Sequence, residues 1–291
     1  MIERCAVRGG LPGLGRRALA GRTLILAYHN VVPRGERPAG DASLHLPQDR
    51  FAAQLDALLE THEVVPLAAV LEPDGRPPRR PRAVITFDDA YRGSLTAGLA
   101  ELAARGLPAT FFVAPAYVPD GAFWWDALAA AGPVRETALE ALAGRQRAIL
   151  DWAAARGVRA AAVPPHATAA SEAELRAATA HPGITLGSHS WSHPNLARLP
   201  ADELRAELRR PLEWLRARFA AVVPWLAYPY GLASPSVARL AAEAGYAGAL
   251  RIDGGWVPAA LGDRFRVPRL NIPAGVSPEG FVLRAAGLVR R

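Results

Sequence analysis

Short apolar segments alternate with helical segments along most of this sequence, and the alternation limits the folds open to the chain. The apolar segments are rich in Val, Ile, Leu and aromatic residues and lie at 23–29, 83–89, 109–115, 184–190, 225–231 and 247–253. The stretches with helical periodicity lie at 47–60, 94–105, 138–156, 171–180, 201–220 and 234–244. Strands that alternate with helices favour an α/β fold with a parallel sheet and crossover helices. The number of units favours a barrel over a small open sheet.

The length of the chain fits a single domain of that size. Of its 291 residues, 51% are apolar, which is enough to bury a sizeable core. We predict a mobile leader at 1–22 and one domain at 23–291, with an insertion at about 116–170 that interrupts the alternation. The insertion carries Phe123, Trp124 and Trp125. For these aromatic residues we favour packing against the flank of the barrel over a platform for sugar stacking.

Charge and cysteine content exclude several classes of protein. The formal charge of +7 comes from arginine, which is spread over amphipathic segments such as 201–218 instead of forming one block. This distribution indicates solvated helix faces and not a nucleic-acid site. Cys5 is the only cysteine, so neither an intrachain disulfide nor a cluster of thiolate ligands can form. The sequence shows neither a signal peptide nor an apolar run of membrane-spanning length, which predicts a cytoplasmic protein without stable membrane insertion.

Polar residues follow the ends of several predicted strands. His29 ends the first strand, and Asp88 and Asp89 end the second. His189 and His193 follow the fourth strand, and Tyr230 follows the fifth. In parallel barrels the functional residues gather at the carboxyl ends of the strands. We therefore expect these side chains to meet at one face.

The Asp88-Asp89 pair and the His189 and His193 pair together have the composition of a hydrolytic metal site. Asp89, His189 and His193 would form a site of two histidines and one carboxylate, with positions left open for water and substrate, which favours catalytic zinc. Asp88 would be the base that takes a proton from water. Each group alone has a plain structural reading, since an Asp-Asp pair can cap a helix and a His-x-x-x-His pair can be structural. Their joint occurrence at strand ends favours the metal site.

These motifs resemble those of the polysaccharide deacetylases of carbohydrate esterase family four, which share the NodB homology domain. Thr86-Phe87-Asp88-Asp89 and His189-Ser190-Trp191-Ser192-His193 match the first two family motifs, and Pro229-Tyr230-Gly231 matches most of the third. The resemblance covers about 23–273. It implies a distorted (β/α) barrel of about seven strands, Asp88 as base, and Asp89, His189 and His193 as ligands of a divalent metal. It also places Tyr230, Pro229 and Trp191 at the substrate.

The sequence departs from the family pattern in three places. Ala227 occupies the position where the third motif has an arginine that contacts the base, and we predict that Arg269 replaces that arginine. The fourth motif has no convincing match. No histidine follows residue 193, where the family has the histidine that serves as general acid. Members similar to the poly-N-acetylglucosamine de-N-acetylases begin with a strand that ends in Tyr-His and are circularly permuted, so we predict that His29 of the Tyr28-His29 pair supplies the acid.

The sequence therefore predicts a metal-dependent hydrolase that removes N-acetyl groups from amino sugars of a polysaccharide, oligosaccharide or glycan precursor. Two alternatives stay open. An O-acetyl esterase or small-amide hydrolase would use the same metal site, and a carbohydrate-binding relative would keep the fold without turnover. The intact pair of aspartates and pair of histidines disfavours the second alternative.

Overall fold

The computed structural model describes residues 21–71, 80–128, 133–258 and 261–289, together with a few isolated positions before residue 21. The strands of this part of the chain are β1 (Thr23–Tyr28), β2 (Asn30–Val32), β3 (His45–Pro47), β4 (Glu63–Val64), β5 (Arg82–Phe87), β6 (Ala109–Val113), β7 (Ile184–Ser188), β8 (Val222–Ala227), β9 (Gly248–Leu250), β10 (Trp256–Val257) and β11 (Leu270–Asn271). Its helices are α1 (Gln48–Thr61), α2 (Leu99–Ala104), α3 (Trp124–Ala127), α4 (Pro133–Glu140), α5 (Gln146–Ala154), α6 (Glu172–Thr179), α7 (Ala201–Arg218), α8 (Pro235–Glu243) and α9 (Pro278–Ala285).

Seven of these strands form a curled sheet in the order β10-β1-β5-β6-β7-β8-β9, to which β4 is added through β5 and β11 through β1. β2 and β3 form a separate two-stranded sheet. All neighbours along this path are parallel except β10, which pairs antiparallel with β1. The register between β1 and β5 is continuous, from Thr23 opposite Arg82 to Tyr28 opposite Phe87. The predicted distorted (β/α) barrel of about seven strands is confirmed.

The segment 267–271 links the two edges of the curled sheet. Val267 pairs with Leu250 at the end of β9, and β11 pairs in parallel with β1, with Leu270 opposite Leu26 and Asn271 opposite Ala27. The first strand therefore lies beside the last one, as barrel closure requires. This places His29, just after β1, near side chains of the segment 267–271.

The predicted elements correspond to observed ones, with one division. The six predicted strands contain β1, β5, β6, β7, β8 and β9, but the helix predicted at 138–156 is two helices, α4 and α5. The chain turns between them through Ala143 (φ 51°) and Gly144 (φ 68°). A Cβ at Gly144 would lie 2.9 Å from the Tyr230 ring, so this turn needs glycine for both its conformation and its close approach.

Two further points concern the predicted leader and the capacity of the helices to cross a membrane. Most of the leader predicted at 1–22 lies outside the described residues. In the part of the chain that the structure describes, the helices are too short or too polar to cross a membrane.

A buried polar network ties the region after β6 to the barrel. Asn30 Nδ2 lies 2.9 Å from His45 Nδ1 and donates to it, so His45 carries its proton on Nε2 and donates to Asp126 Oδ1 at 2.8 Å. Tyr91 donates its hydroxyl proton to Asp126 Oδ2 at 2.6 Å and accepts from Trp125 Nε1 at 2.8 Å. The network thus fixes Trp125, whose ring lies 4.9 Å from that of His193.

Removing the acceptor at the centre of this network should destabilise the fold. In Asp126→Ala the donors of His45 and Tyr91 stay buried without an acceptor, and we expect the free energy of unfolding to fall by on the order of 3 kcal/mol. Urea denaturation measures the change. The control, Asp151→Ala, removes an exposed carboxylate that pairs with Arg147 one turn earlier, and should leave the stability nearly unchanged. Equal losses in the two variants would contradict the network's role.

Candidate active site

The site begins where β5 ends. Asp88 and Asp89 follow Phe87 directly, and successive side chains of a strand point to opposite faces. Asp89 has φ 66° and Ala90 has φ 47°, so the chain turns sharply through the left-handed region at this point. The turn brings both carboxylates to one cavity, which both of them line.

Asp89, His189 and His193 place three potential ligand atoms close together. The Nε2 atoms of the two histidines lie 3.2 Å apart, and Asp89 Oδ1 lies 3.6 Å from His189 Nε2 and 3.4 Å from His193 Nε2. Ligands bound tetrahedrally to zinc at about 2.0–2.1 Å are about 3.3–3.4 Å from one another. The triangle of atoms therefore has the size that a single divalent metal requires.

The protonation states also fit a metal. His189 Nδ1 lies 2.8 Å from the carbonyl oxygen of Ala227 and donates to it, which leaves the lone pair on Nε2 facing Asp89. Burial lowers the pKa of both His189 and His193, so both imidazoles are neutral and able to act as ligands. Asp89 Oδ1 is buried and has no hydrogen-bond partner. Burial and the charge of Asp88 raise the pKa of Asp89 well above its ordinary value, and a cation would relieve both effects.

The loop that carries the two histidines is held in an unusual conformation. Ser190 has φ 63° and His193 has φ 56°. Ser190 Oγ accepts from the backbone amide of His193 at 3.0 Å. Glu207 of α7 accepts from the amides of Trp191 and Ser192 at 2.9 and 2.8 Å and from the Ser192 hydroxyl at 2.6 Å. These bonds offset the cost of the left-handed residues.

Glu207 belongs to none of the sequence motifs that indicate the site. It lies on the face of α7 that contains the buried residues Leu204, Leu208 and Pro211. A carboxylate on the apolar side of an amphipathic helix needs a partner, and that position is the sequence signal that could have found it.

Arg269 lies against Asp88. Its two terminal nitrogens donate to the two carboxylate oxygens, each at 2.7 Å, and Nη1 also donates to Thr86 Oγ1 at 3.1 Å. The remaining nitrogen, Nε, donates to the carbonyl oxygen of Arg251 at 3.1 Å, and the side chain is fully buried. Burial opposes ionisation of Asp88, but the positive charge and the two hydrogen bonds of Arg269 outweigh it and hold the pKa of Asp88 below its ordinary value. Arg269 thus makes the contact with Asp88 that Ala227, which has no polar side chain, cannot make.

His29 lines the same cavity as the two aspartates. Burial lowers its pKa to about 4, against the opposing effect of Asp88, and the positive charge of Arg269 lowers it further. His29 is therefore neutral at neutral pH in this structure.

The cavity has a volume of about 700 Å³, part of it open to solvent. Trp124, Trp125 and Tyr230 form its aromatic side, and Trp124 Nε1 donates to the Tyr230 hydroxyl at 3.1 Å. The two tryptophans are buried, so they fill the flank as we favoured, and each also has an edge on the cavity.

Pro229 and Trp191 are predicted to bind substrate, but neither of them lines the cavity. The cavity is lined by His29, Asp41, Ser43, Leu44, Asp88, Asp89, Trp124, Trp125, Arg135, His189, His193, Tyr230, Gly231, Ile252 and Asn271. Pro229 is buried and is not among these lining residues. Trp191 packs its ring under the guanidinium group of Arg210, at 4.0 Å from the ring centre.

Comparison with known proteins decides the family. The family model of polysaccharide deacetylases matches residues 75–249, which is more than half of the chain. This chain belongs to the polysaccharide deacetylase family. The predicted resemblance is confirmed, and the chain is accordingly a hydrolase of acetylated polysaccharides. The match contains Asp88, Asp89, His189 and His193 but ends before Arg269 and Asn271 and begins after His29, so the interpretation of those three residues depends on the structure.

Solved structures of deacetylases have the same fold. The deacetylase PplD of Streptococcus pyogenes, solved with acetate, is 17% identical, with a TM-score of 0.63 over 90% of this chain and 97% of that one. IcaB from Ammonifex degensii is 16% identical, with a TM-score of 0.65 over 93% and 98% of the two chains. The de-N-acetylase from Aggregatibacter actinomycetemcomitans is 16% identical, with a TM-score of 0.62 over 88% and 97%. The search of curated proteins found no match.

The buried ion pair of this polysaccharide deacetylase should give a stability difference that depends on pH. Because the fold lowers the pKa of Asp88, the pair stabilises the parent above the ordinary pKa of aspartate, and the effect is lost as pH falls through the folded value. In Arg269→Met the carboxylate is buried without a partner, and we expect a loss of about 3–5 kcal/mol at pH 7. Burial then raises the pKa of Asp88, so the variant takes up a proton and the deficit shrinks by pH 5.

Urea denaturation of the chelator-treated proteins at the two pH values measures this deficit. Arg147→Met, which removes an exposed partner of Asp151, serves as the control and should show little change at either pH. A deficit of the same size at pH 7 and pH 5 would show that Asp88 does not titrate as expected.

Proposed function

We propose that this polysaccharide deacetylase is a metal-dependent de-N-acetylase, acting on amino-sugar residues of a polysaccharide, oligosaccharide or glycan precursor. The observation that carries the proposal is the triangle of Asp89, His189 and His193 ligand atoms beside an ionised, buried Asp88, whose Oδ2 lies 4.0 Å from His189 Nε2. The fold shared with a solved de-N-acetylase supports an amide substrate.

Asp89, His189 and His193 would hold the metal, and two imidazoles with one carboxylate favour zinc. When bound, the metal supplies a Lewis acid that polarises the acetyl carbonyl and increases the acidity of a nearby water molecule. The protein contributes neutral imidazoles and a desolvated carboxylate at fixed separations.

Asp88 takes the proton of the attacking water. A base must be ionised at the working pH, and the two charged hydrogen bonds from Arg269 keep Asp88 in that state although it is buried. The same bonds fix the orientation of the carboxylate. Arg269 is thus the positioning residue for the base, in the role that the family assigns to an arginine at the Ala227 position.

His29 delivers a proton to the leaving nitrogen. It is neutral in the free protein because burial lowers its pKa to about 4. Negative charge that develops on the substrate oxygen after water attack raises the pKa of a nearby imidazole. His29 therefore takes up a proton from solvent after the attack and passes it to the leaving nitrogen as the carbon–nitrogen bond breaks, and Asp88 returns the proton of the attacking water to solvent.

Tyr230 contributes to the wall of the substrate cavity. Its φ of 57° turns the chain so that the ring packs 4.6 Å from the His193 ring while the residue faces the cavity. An O-acetyl esterase would use the same metal ligands, base and acid, and these groups alone do not select between an amide and an ester.

Neighbouring aspartates should differ in function. Asp88→Asn keeps the shape of the side chain but cannot take a proton, so we expect it to retain metal and to lose nearly all acetate release. Asp89→Asn, His189→Ala and His193→Ala remove a ligand and should lose metal and activity together. Elemental analysis and acetate release from N-acetylglucosamine oligosaccharides, with and without zinc and chelator, measure both properties. Acetate release that needs no metal, or equal metal loss in Asp88→Asn and Asp89→Asn, contradicts these roles.

His29→Ala should lower turnover by about 10²–10⁴-fold, which is the usual contribution of a positioned acid, and should leave the metal content unchanged. His166→Ala is a matched control, because His166 is also a buried histidine but bonds to Asn30 and to the carbonyl of Arg37 outside the cavity. A His29→Ala enzyme with normal turnover would exclude His29 as the acid.

A further inference from the structure

One oxygen atom in a residue that lines the active-site cavity has no hydrogen-bond partner, and the proposed reaction gives it no role. Among the described residues, the buried side-chain atoms without a hydrogen-bond partner include three in residues that line the cavity: Asp89 Oδ1, His193 Nδ1 and Asn271 Oδ1. The first two belong to proposed metal ligands. Asn271 Oδ1 is left as a desolvated acceptor, and such a group costs stability unless a ligand satisfies it.

The strand register places Asn271 beside the reacting groups. Asn271 lies opposite Ala27 in the parallel pairing of β11 with β1, and Ala27 lies opposite Thr86 in β1 and β5. These residues therefore face the same side of the sheet, one layer below His29 and Asp88, which lie two residues further along their strands. Arg269, two residues before Asn271, reaches Asp88 from the same side. Asn271 thus lines the cavity on the same side of the sheet as the proposed acid and the arginine that holds the proposed base.

An acceptor at this place distinguishes two kinds of acetyl group. The acetamide of an amino sugar carries an N–H, whereas an acetyl ester has an oxygen with lone pairs at the same position. We propose that Asn271 is a specificity-determining residue, whose Oδ1 accepts the N–H of the scissile acetamide and so selects amides over esters. An ester in the same pose leaves Oδ1 unpaired and faces it with another acceptor. The inference rests on the proposed deacetylation and specifies its substrate class.

The preference for amide over ester tests this inference. Asn271→Leu has nearly the same shape but no acceptor, and Asn271→Ala removes the acceptor with less bulk if the leucine variant does not fold. We expect kcat/KM for an N-acetylglucosamine oligosaccharide to fall about tenfold or more, the usual effect of a lost hydrogen bond to a buried group. We expect kcat/KM for an O-acetylated xylo-oligosaccharide to stay the same or rise, because no bond to the ester is lost and the acceptor that opposed the ester oxygen is removed.

Asn271→Asp is the matched variant, since it keeps an acceptor oxygen at the same place and should retain the preference for the amide. If the parent does not cleave the ester, the inhibition constant of the ester against the amide substrate replaces its kcat/KM. Metal content and thermal unfolding of each variant show that the site is intact.

Equal losses on amide and ester in Asn271→Leu would overturn the inference, because they indicate donation from Nδ2 to the carbonyl or a structural role. No change on either substrate overturns it as well. These outcomes differ from failure of the proposed function, in which the zinc-loaded parent itself releases no acetate from the N-acetylated oligosaccharide. That result overturns both.

Discussion

The ion pair between Asp88 and Arg269 joins the end of β5 to the segment that links the two edges of the sheet, and both side chains are removed from water. Neither charge is tolerable there without the other, because an unpaired buried ion costs several kcal/mol. Two parallel hydrogen bonds of 2.7 Å fix the carboxylate, and Thr86 and the carbonyl of Arg251 accept from two further N–H groups of Arg269. The geometry that closes the barrel is therefore also the geometry that keeps Asp88, the proposed base, ionised and oriented.

The barrel provides rigid strand ends, and the loops after them carry the strain. Asp89, Ser190, His193 and Tyr230 all have positive φ although none is glycine. Such residues persist only where the surroundings determine their conformation, and here Ser190 Oγ and the Glu207 carboxylate satisfy the amides of the histidine loop. The close spacing of the three potential ligand atoms is a product of these loops, because ideal strands and helices would not bring the atoms together.

The strands that position the site could be predicted from sequence because each is a short apolar run followed by polar residues. The juxtaposition of Asp88, Asp89, His189 and His193 follows from the shared direction of parallel strands. The break between α4 and α5 was missed, since it depends on the approach of Gly144 to the Tyr230 ring, a tertiary contact without local sequence signal. Glu207 was also missed, although its position on the apolar side of α7 is a sequence signal, and Asn271 was missed because it is defined by the lack of a partner. Periodicity predicts elements, but it does not predict which polar atoms remain unsatisfied once the elements pack.

The distance along the chain between Asp88 and Arg269, 181 residues, has a consequence for how the enzyme is made. On the ribosome, β1 and β5 are synthesised early and can pair at once, but the arginine that compensates Asp88 is synthesised last among these elements. Until it arrives, the carboxylate must stay hydrated or carry a proton, since it cannot be buried alone as an anion. The closing segment therefore completes the fold and fixes the proposed base as a buried, oriented carboxylate in one event, so a nascent chain with an open barrel lacks the arrangement that the proposed reaction needs.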